Sequence, residues 1–211
     1  MQFTTKLLES DGQIISMILK SLLSDTKKYM TNASKKLEPE IKSIIQKGFL
    51  SSVEYNSLVA GALKYEFGLP DASSRVSQIL KIWDNTTVNF VPPKIQGSKI
   101  YSSLRISMIP ADYNDVLSLS VSKVQTNKGQ ELPWLEWLLL FGDKTIIKDY
   151  EIYIGSNPES RTGGAVMKKV VGGKWKVPSQ FSGSSKNNWV TRVLDNVSTQ
   201  IDKAIEKAVK L

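Results

Sequence analysis

The chain contains no cysteine and no histidine. Without cysteine there is no disulfide, no thiolate nucleophile and no zinc site built on sulfur. Without histidine there is no imidazole general base and no Ser-His-Asp or Cys-His arrangement. Only oxygen-ligand sites for Mg²⁺ or Ca²⁺ stay open. Long apolar runs are missing as well. The longest, Trp137 to Phe141, is far short of a membrane span. The apolar stretch from Ile14 to Leu19 ends at Lys20 and follows Glu9 and Asp11, which makes a poor signal peptide. The expectation is a chain that stays in the cytoplasm of the cell that makes it.

What is present is basic and otherwise ordinary. Lysine and arginine number 28 against 20 acidic residues, a net charge of +8, which favours acidic partners. The 211 residues suffice for a core without staples, as one domain with a long accessory helix or as two small domains.

Residues 5 to 48 read as helix. Leu7, Ile14, Ile15, Ile18, Leu22, Tyr29, Ala33, Leu37, Ile41 and Ile44 recur at spacings of three and four. Pro39 is expected to end one helix near Leu37 or to start the next. The stripe is longer than a small core needs, so Ile15, Ile18 and Leu22 either fill the subunit's own core or meet a neighbouring subunit. Ser51 and Glu54 have capping-box spacing for a helix that runs to Phe67, with Gly68 as its C′ residue. A further helix, capped by Asp71 or Ser73, carries Val76, Ile79, Leu80 and Trp83.

The period then changes to two. Ile100, Leu104, Ile106 and Met108 alternate with polar residues in a strand that Pro110 stops. Leu117, Leu119 and Val121 against Ser118, Ser120 and Ser122 suggest a second strand. Leu132 to Leu140 reads as a short buried helix and Thr145 to Ile154 as a strand. Ala165 to Val171 and Lys174 to Val177 read as a hairpin about a Gly172-Gly173 turn. The chain ends in an amphipathic helix carrying Val190, Leu194, Val197, Ile201, Ala204, Ile205, Ala208 and Val209. The expected fold class is α+β: an antiparallel sheet with helices packed on one face, a long N-terminal helix and a C-terminal amphipathic helix. The expected division is a helical arm over 1–50 and an α+β domain over 51–211.

Three groups could carry chemistry, and each has a plainer use. The loop from Gly155 to Gly164 has the glycines, hydroxyls and arginine to cradle an anion, but it lacks a Gly-Lys-Ser/Thr ending and reads better as a surface loop. Asp143, Asp149 and Glu151 could bind Mg²⁺, but nothing else in the sequence converges on them, and a solvated strand face fits better. Trp134 and Trp137 could stack bases; core packing is the commoner use. No cofactor and no catalytic set is expected. The charge distribution is less ordinary. Ser160 to Leu194 has no acidic residue and seven basic ones: Arg161, Lys168, Lys169, Lys174, Lys176, Lys186 and Arg192. Such a gap points to a localised positive surface that faces DNA or an acidic partner.

The run Phe67-Gly68-Leu69-Pro70-Asp71, then Pro133-Trp134-Leu135-Glu136-Trp137-Leu138-Leu139, resembles the neck and tail-completion (head–tail connector) proteins of tailed bacteriophages. So do Ser160 to Met167, Trp175-Lys176-Val177-Pro178 and Asn188-Trp189-Val190-Thr191-Arg192. The resemblance covers roughly residues 50 to 195; the long N-terminal helix departs from it. It implies a virion structural protein rather than an enzyme, with no membrane partner. The subunit would form a ring with copies of itself at the head–tail junction. Its partners would be neighbouring connector and tail proteins and DNA passing through the channel. The alternative is a nucleic-acid-binding module without sequence preference.

Overall fold

A computed structural model describes residues 8–109, 112–126 and 129–210. The expected helix start at residues 5–7 and the expected strand stop at Pro110 lie outside the described residues. The elements in order are α1 (Asp11–Ser51), α2 (Val53–Val59), α3 (Ala62–Glu66), α4 (Ala72–Trp83), β1 (Thr87–Gln96) and β2 (Lys99–Ser107). There follow α5 (Asn114–Leu117), a 3₁₀ turn (Ser120–Ser122), β3 (Val124–Gln125), β4 (Glu131–Leu132) and α6 (Trp134–Glu136). A π-helical turn (Trp137–Phe141), β5 (Ile147–Ile154), β6 (Ala165–Trp175) and α7 (Trp189–Val209) complete the order. The fold is α+β with antiparallel strands, a long N-terminal helix and a C-terminal helix. The strands fall into three separate two-stranded ladders, β1-β2, β3-β4 and β5-β6.

The chain groups into two compact units. One holds residues 1–41, 86–107 and 203–211; the other holds 42–85 and 108–202. This division joins β1, β2 and the end of α7 to the first part of α1, where the sequence suggests an arm of residues 1–50 alone.

In the first unit, Met30, Ala33, Leu37 and Ile41 follow helical spacing and are buried. Pro39 does not break α1, which runs through it unbroken. The missing proline N–H deprives Lys35, four residues back, of its helical donor. Both residues are exposed, so water can serve the carbonyl. The Tyr29 hydroxyl donates to the carbonyls of Ala208 and Lys210, at 3.1 and 2.9 Å. Glu38 Oε2 accepts the Val88 N–H of β1 at 3.2 Å. The expected strand around Ile100 to Ser107 is β2, with Ile100, Leu104 and Ile106 on its more buried face. Its partner β1 contains Pro92-Pro93, at which the register shifts between Val91 and Lys94. The shift accommodates two residues that cannot donate to a ladder.

In the second unit the helix expected to run from Ser51 to Phe67 is two helices. Ser52, not Ser51, caps α2, accepting the Tyr55 N–H at 3.2 Å. The chain breaks at Ala60-Gly61, and the Ser57 hydroxyl accepts the Leu63 N–H of α3 at 3.1 Å. Gly68 adopts φ +61, the left-handed conformation expected of a C′ residue. Phe49, Trp83 and Trp189 form an aromatic core with centroids 5.1 to 5.5 Å apart. Each such pair is worth about 0.5–1.5 kcal/mol beyond its buried area. The Trp189 indole N–H donates to Ser52 Oγ at 2.8 Å, so the α2 cap also satisfies the core. At the start of α7, Asn188 and Thr191 exchange side-chain and backbone hydrogen bonds, Asn188 N to Thr191 Oγ1 at 2.8 Å and Thr191 N to Asn188 Oδ1 at 3.1 Å.

Two expected strand features are overturned. Residues 117–121 are not a strand. They cover the end of α5 and the 3₁₀ turn, because the Ser122 hydroxyl bonds the carbonyls of Leu117 and Leu119, at 3.0 and 2.6 Å. Gly172-Gly173 is not a hairpin turn either. It lies inside one continuous strand, β6, which pairs with β5.

Candidate interaction site

β5 and β6 form a hairpin whose connecting loop spans residues 155–164. That loop spends its amides on itself: Gly155 N–H on Gly164, Asn157 N–H on Gly163 and Ser160 N–H on Asn157. An anion cradle needs free amides there, so the surface-loop reading fits.

The register is interrupted once, between Lys148 and Tyr150, where the partner passes from Lys174 to Lys169. One residue on β5 thus faces four on β6. Asp149 takes φ +60 and its Oδ1 accepts the Gly172 N–H at 3.0 Å; Gly172 itself has φ +80. The glycines supply a bulge. A Cβ on Gly173 would stand 2.9 Å from the Val170 carbonyl and 3.0 Å from that of Tyr150, so strand closeness requires glycine there.

The bulge sorts the lysines. Ile152 pairs with Met167 and Ile147 with Trp175, and these four line a cavity. The intervening pairs, Glu151 with Lys168 and Lys148 with Lys174, therefore face the other way. Trp175 and Val177 are buried, and Lys174 and Lys176 between and beside them are exposed, as alternation requires. Lys174 and Lys176 stand in and just after the same strand as Lys168 and Lys169, not on a facing one. Lys169 lies opposite Tyr150, on the cavity side of the hairpin. Lys168 is compensated locally: it is paired with Glu151 in register, and its Nζ lies 5.4 Å from the Tyr153 ring centre. Lys148 and Lys174 are like charges directly opposite one another, which costs stability. Lys186 is exposed in the loop before α7.

The two arginines do not belong to this surface. Arg192 donates from Nε to Glu54 Oε1 at 2.7 Å, from Nη1 to Asn187 Oδ1 at 2.8 Å, and to the carbonyls of Ser182 and Phe181, both at 3.3 Å. Every nitrogen is engaged within the protein, and Glu54 is buried. Arg161 donates to the Gln125 carbonyl at 2.8 Å and lies against Gly68. Burial holds its guanidinium below its ordinary pKa. The positive face is therefore formed by Lys174 and Lys176 of the acid-free stretch together with Lys148 opposite Lys174, flanked by Lys168. Lys148, outside that stretch, is found only through the strand register.

The other candidate is the stripe on α1. Ile15 is 50 % exposed, Ile18 53 % and Leu22 48 %, with Met17 at 65 % beside them. Among the described residues, nothing buries them in a core. Asp149 and Glu151 stay apart from any metal cluster: among the described residues no group of three or more acidic side chains could hold an ion. Trp134 is fully buried, its indole N–H on the Val121 carbonyl at 3.0 Å, and so packs rather than stacks bases. No described helix is long and apolar enough to cross a membrane.

No family model, curated protein or solved structure matches this chain.

Proposed function

We propose that the chain is a structural subunit of the neck of a tailed phage virion, made in the host cytoplasm, that joins copies of itself in a ring at the head–tail junction. The observation that carries the assembly reading is the apolar stripe Ile15, Ile18 and Leu22, left about half exposed on a helix of 41 residues. Three large aliphatic side chains on one helical face, left half-exposed among the described residues, suit burial against a second copy. The phage assignment rests on the sequence resemblance around Pro133 to Leu139 and Asn188 to Arg192. The positive hairpin face supports contact with DNA in the channel or with an acidic neighbour, because an anion would offset the Lys148–Lys174 repulsion. Phosphate attraction of this kind needs only lysine and arginine, not base-reading geometry.

Ile18→Asp tests the stripe. Ile18 is exposed, so the substitution is expected to leave the thermal melt of the isolated chain unchanged within about 0.5 kcal/mol. Incorporation of the variant into particles should fail, because the charge would be buried without a partner in the assembled state. A large drop in melting temperature would place Ile18 in the subunit's own core and remove this support.

A further inference from the structure

The cavity under the β5-β6 hairpin lies away from the lysine face. Its volume is about 730 Å³, a size suited to a bound side chain or small ligand. Five rings line it, Tyr65, Phe67, Trp137, Tyr150 and Trp175, and three of them pack together: Phe67 and Trp175 are 5.8 Å apart edge to face, Trp137 and Trp175 5.8 Å, and Phe67 and Trp137 6.3 Å. Ile152 and Met167 complete the apolar side.

Two carboxylates, Glu66 and the exposed Glu159, line this aromatic setting with one guanidinium, Arg161. Glu66, the last residue of α3, lines the cavity half-buried, and its Oε2 is closed off from solvent with no hydrogen-bond partner. Burial pushes its carboxyl above the ordinary carboxylate range, while the Trp175 indole N–H pulls it down. Ionised Glu66 therefore opposes folding: its contribution favours the fold below the ordinary carboxylate value and is lost as the pH rises through the raised one. Arg161 also lines the cavity and carries the opposite charge. Arg161 is held instead by the Gln125 carbonyl, and no ion pair joins it to Glu66.

We infer that this cavity receives a basic side chain, arginine or lysine, from a partner protein, with Glu66 as its counter-ion and Trp137 and Trp175 as its cation–π walls. Charge complementarity selects the occupant. An apolar group would leave the carboxylate desolvated and unpaired, and an anion would be repelled by it. A flat guanidinium or an ammonium satisfies both the carboxylate and the ring faces. The inference is independent of the neck reading, because any partner chain could supply the residue.

The test is a titration followed by the indole N–H resonances of Trp137 and Trp175 in the full chain. The probes are two acetylated, amidated tripeptides, Ala-Arg-Ala and its citrulline counterpart, which is neutral and nearly the same shape. The arginine peptide should shift both resonances saturably and bind roughly tenfold tighter than the citrulline peptide, the factor expected of a partly desolvated cation–π and ion pair. Glu66→Gln sheds a desolvated charge and so should keep the folded spectrum, while abolishing the difference between the peptides. Equal binding of both peptides, no saturable shift, or an arginine preference that survives in Glu66→Gln would each overturn the inference. The comparison of the two peptides on the unaltered chain decides the matter even without the variant.

Discussion

Arg192→Met is expected to lower the unfolding free energy by about 3–5 kcal/mol, the cost of breaking a buried ion pair from one side. Glu54 is only 2 % exposed, and its Oε1 takes the Arg192 Nε–H at 2.7 Å. Removing the guanidinium leaves that carboxylate buried and uncompensated. It also frees the carbonyls of Phe181 and Ser182, which tie the loop before α7 to the helix. The double variant Arg192→Met, Glu54→Leu should recover much of the loss, because a buried pair replaced by apolar side chains is often neutral or better. Urea unfolding of the two variants and the parent decides this. A single variant as stable as the parent would mean that Glu54 is solvated in solution.

Gly183→Ala is expected to be the most damaging change of a single hydrogen to a methyl group. A Cβ at Gly183 would fall on the Leu138 carbonyl oxygen, with the Leu138 and Leu139 carbonyl carbons 2.6 and 2.9 Å away. These are backbone atoms of the π-helical turn, which cannot swing aside as a flexible side chain would. Gly142 N–H also donates to the Gly183 carbonyl at 3.1 Å, so the two segments are bonded as well as touching. Forcing them apart should cost on the order of 3 kcal/mol. It should also disturb Trp137, whose ring follows the turn into the aromatic cavity. Gly155→Ala, where a Cβ meets nothing within 4 Å, is the control and should be near neutral. Equal melting temperatures for the two variants would contradict the close approach at Gly183.

The helices were legible in the sequence because their periods are long and consistent. Of the expected stripes, Ala33, Leu37 and Ile41 in α1 and Val190, Val197 and Ala204 in α7 are buried. Pro39 misleads because it falls on the exposed side, where water can replace the lost hydrogen bond. The strands are less legible, for local reasons. Pro92-Pro93 hides β1, since prolines argue against a strand unless a register shift absorbs them. The alternation of leucine with serine over 117–122 mimics a strand, but the Ser122 hydroxyl bonds backbone carbonyls and holds turns instead. Gly172-Gly173 carries a turn signature, yet the Asp149 carboxylate captures the Gly172 N–H and makes a bulge.

The candidate sites show the same division. The stripe at Ile15, Ile18 and Leu22 was visible as a period; its exposure was not, because spacing cannot say what covers a face. The acid-free stretch found the lysines but also took in Arg192, whose partner Glu54 is 138 residues away in the chain. Glu66 had no local signal at all. Its neighbours in the cavity, Trp137 and Trp175, come from distant segments and meet it only through the fold.

The most direct test of the central claim is a cryo-electron microscopy map of the head–tail junction in particles made from the genome that encodes this chain. The expected result is a closed ring of copies of this chain at the junction. In it, Ile15, Ile18 and Leu22 of each copy are covered by the next, and the Lys174 and Lys176 face is turned to DNA or to an acidic neighbour. A complete neck map at side-chain resolution with no density for this chain would contradict it.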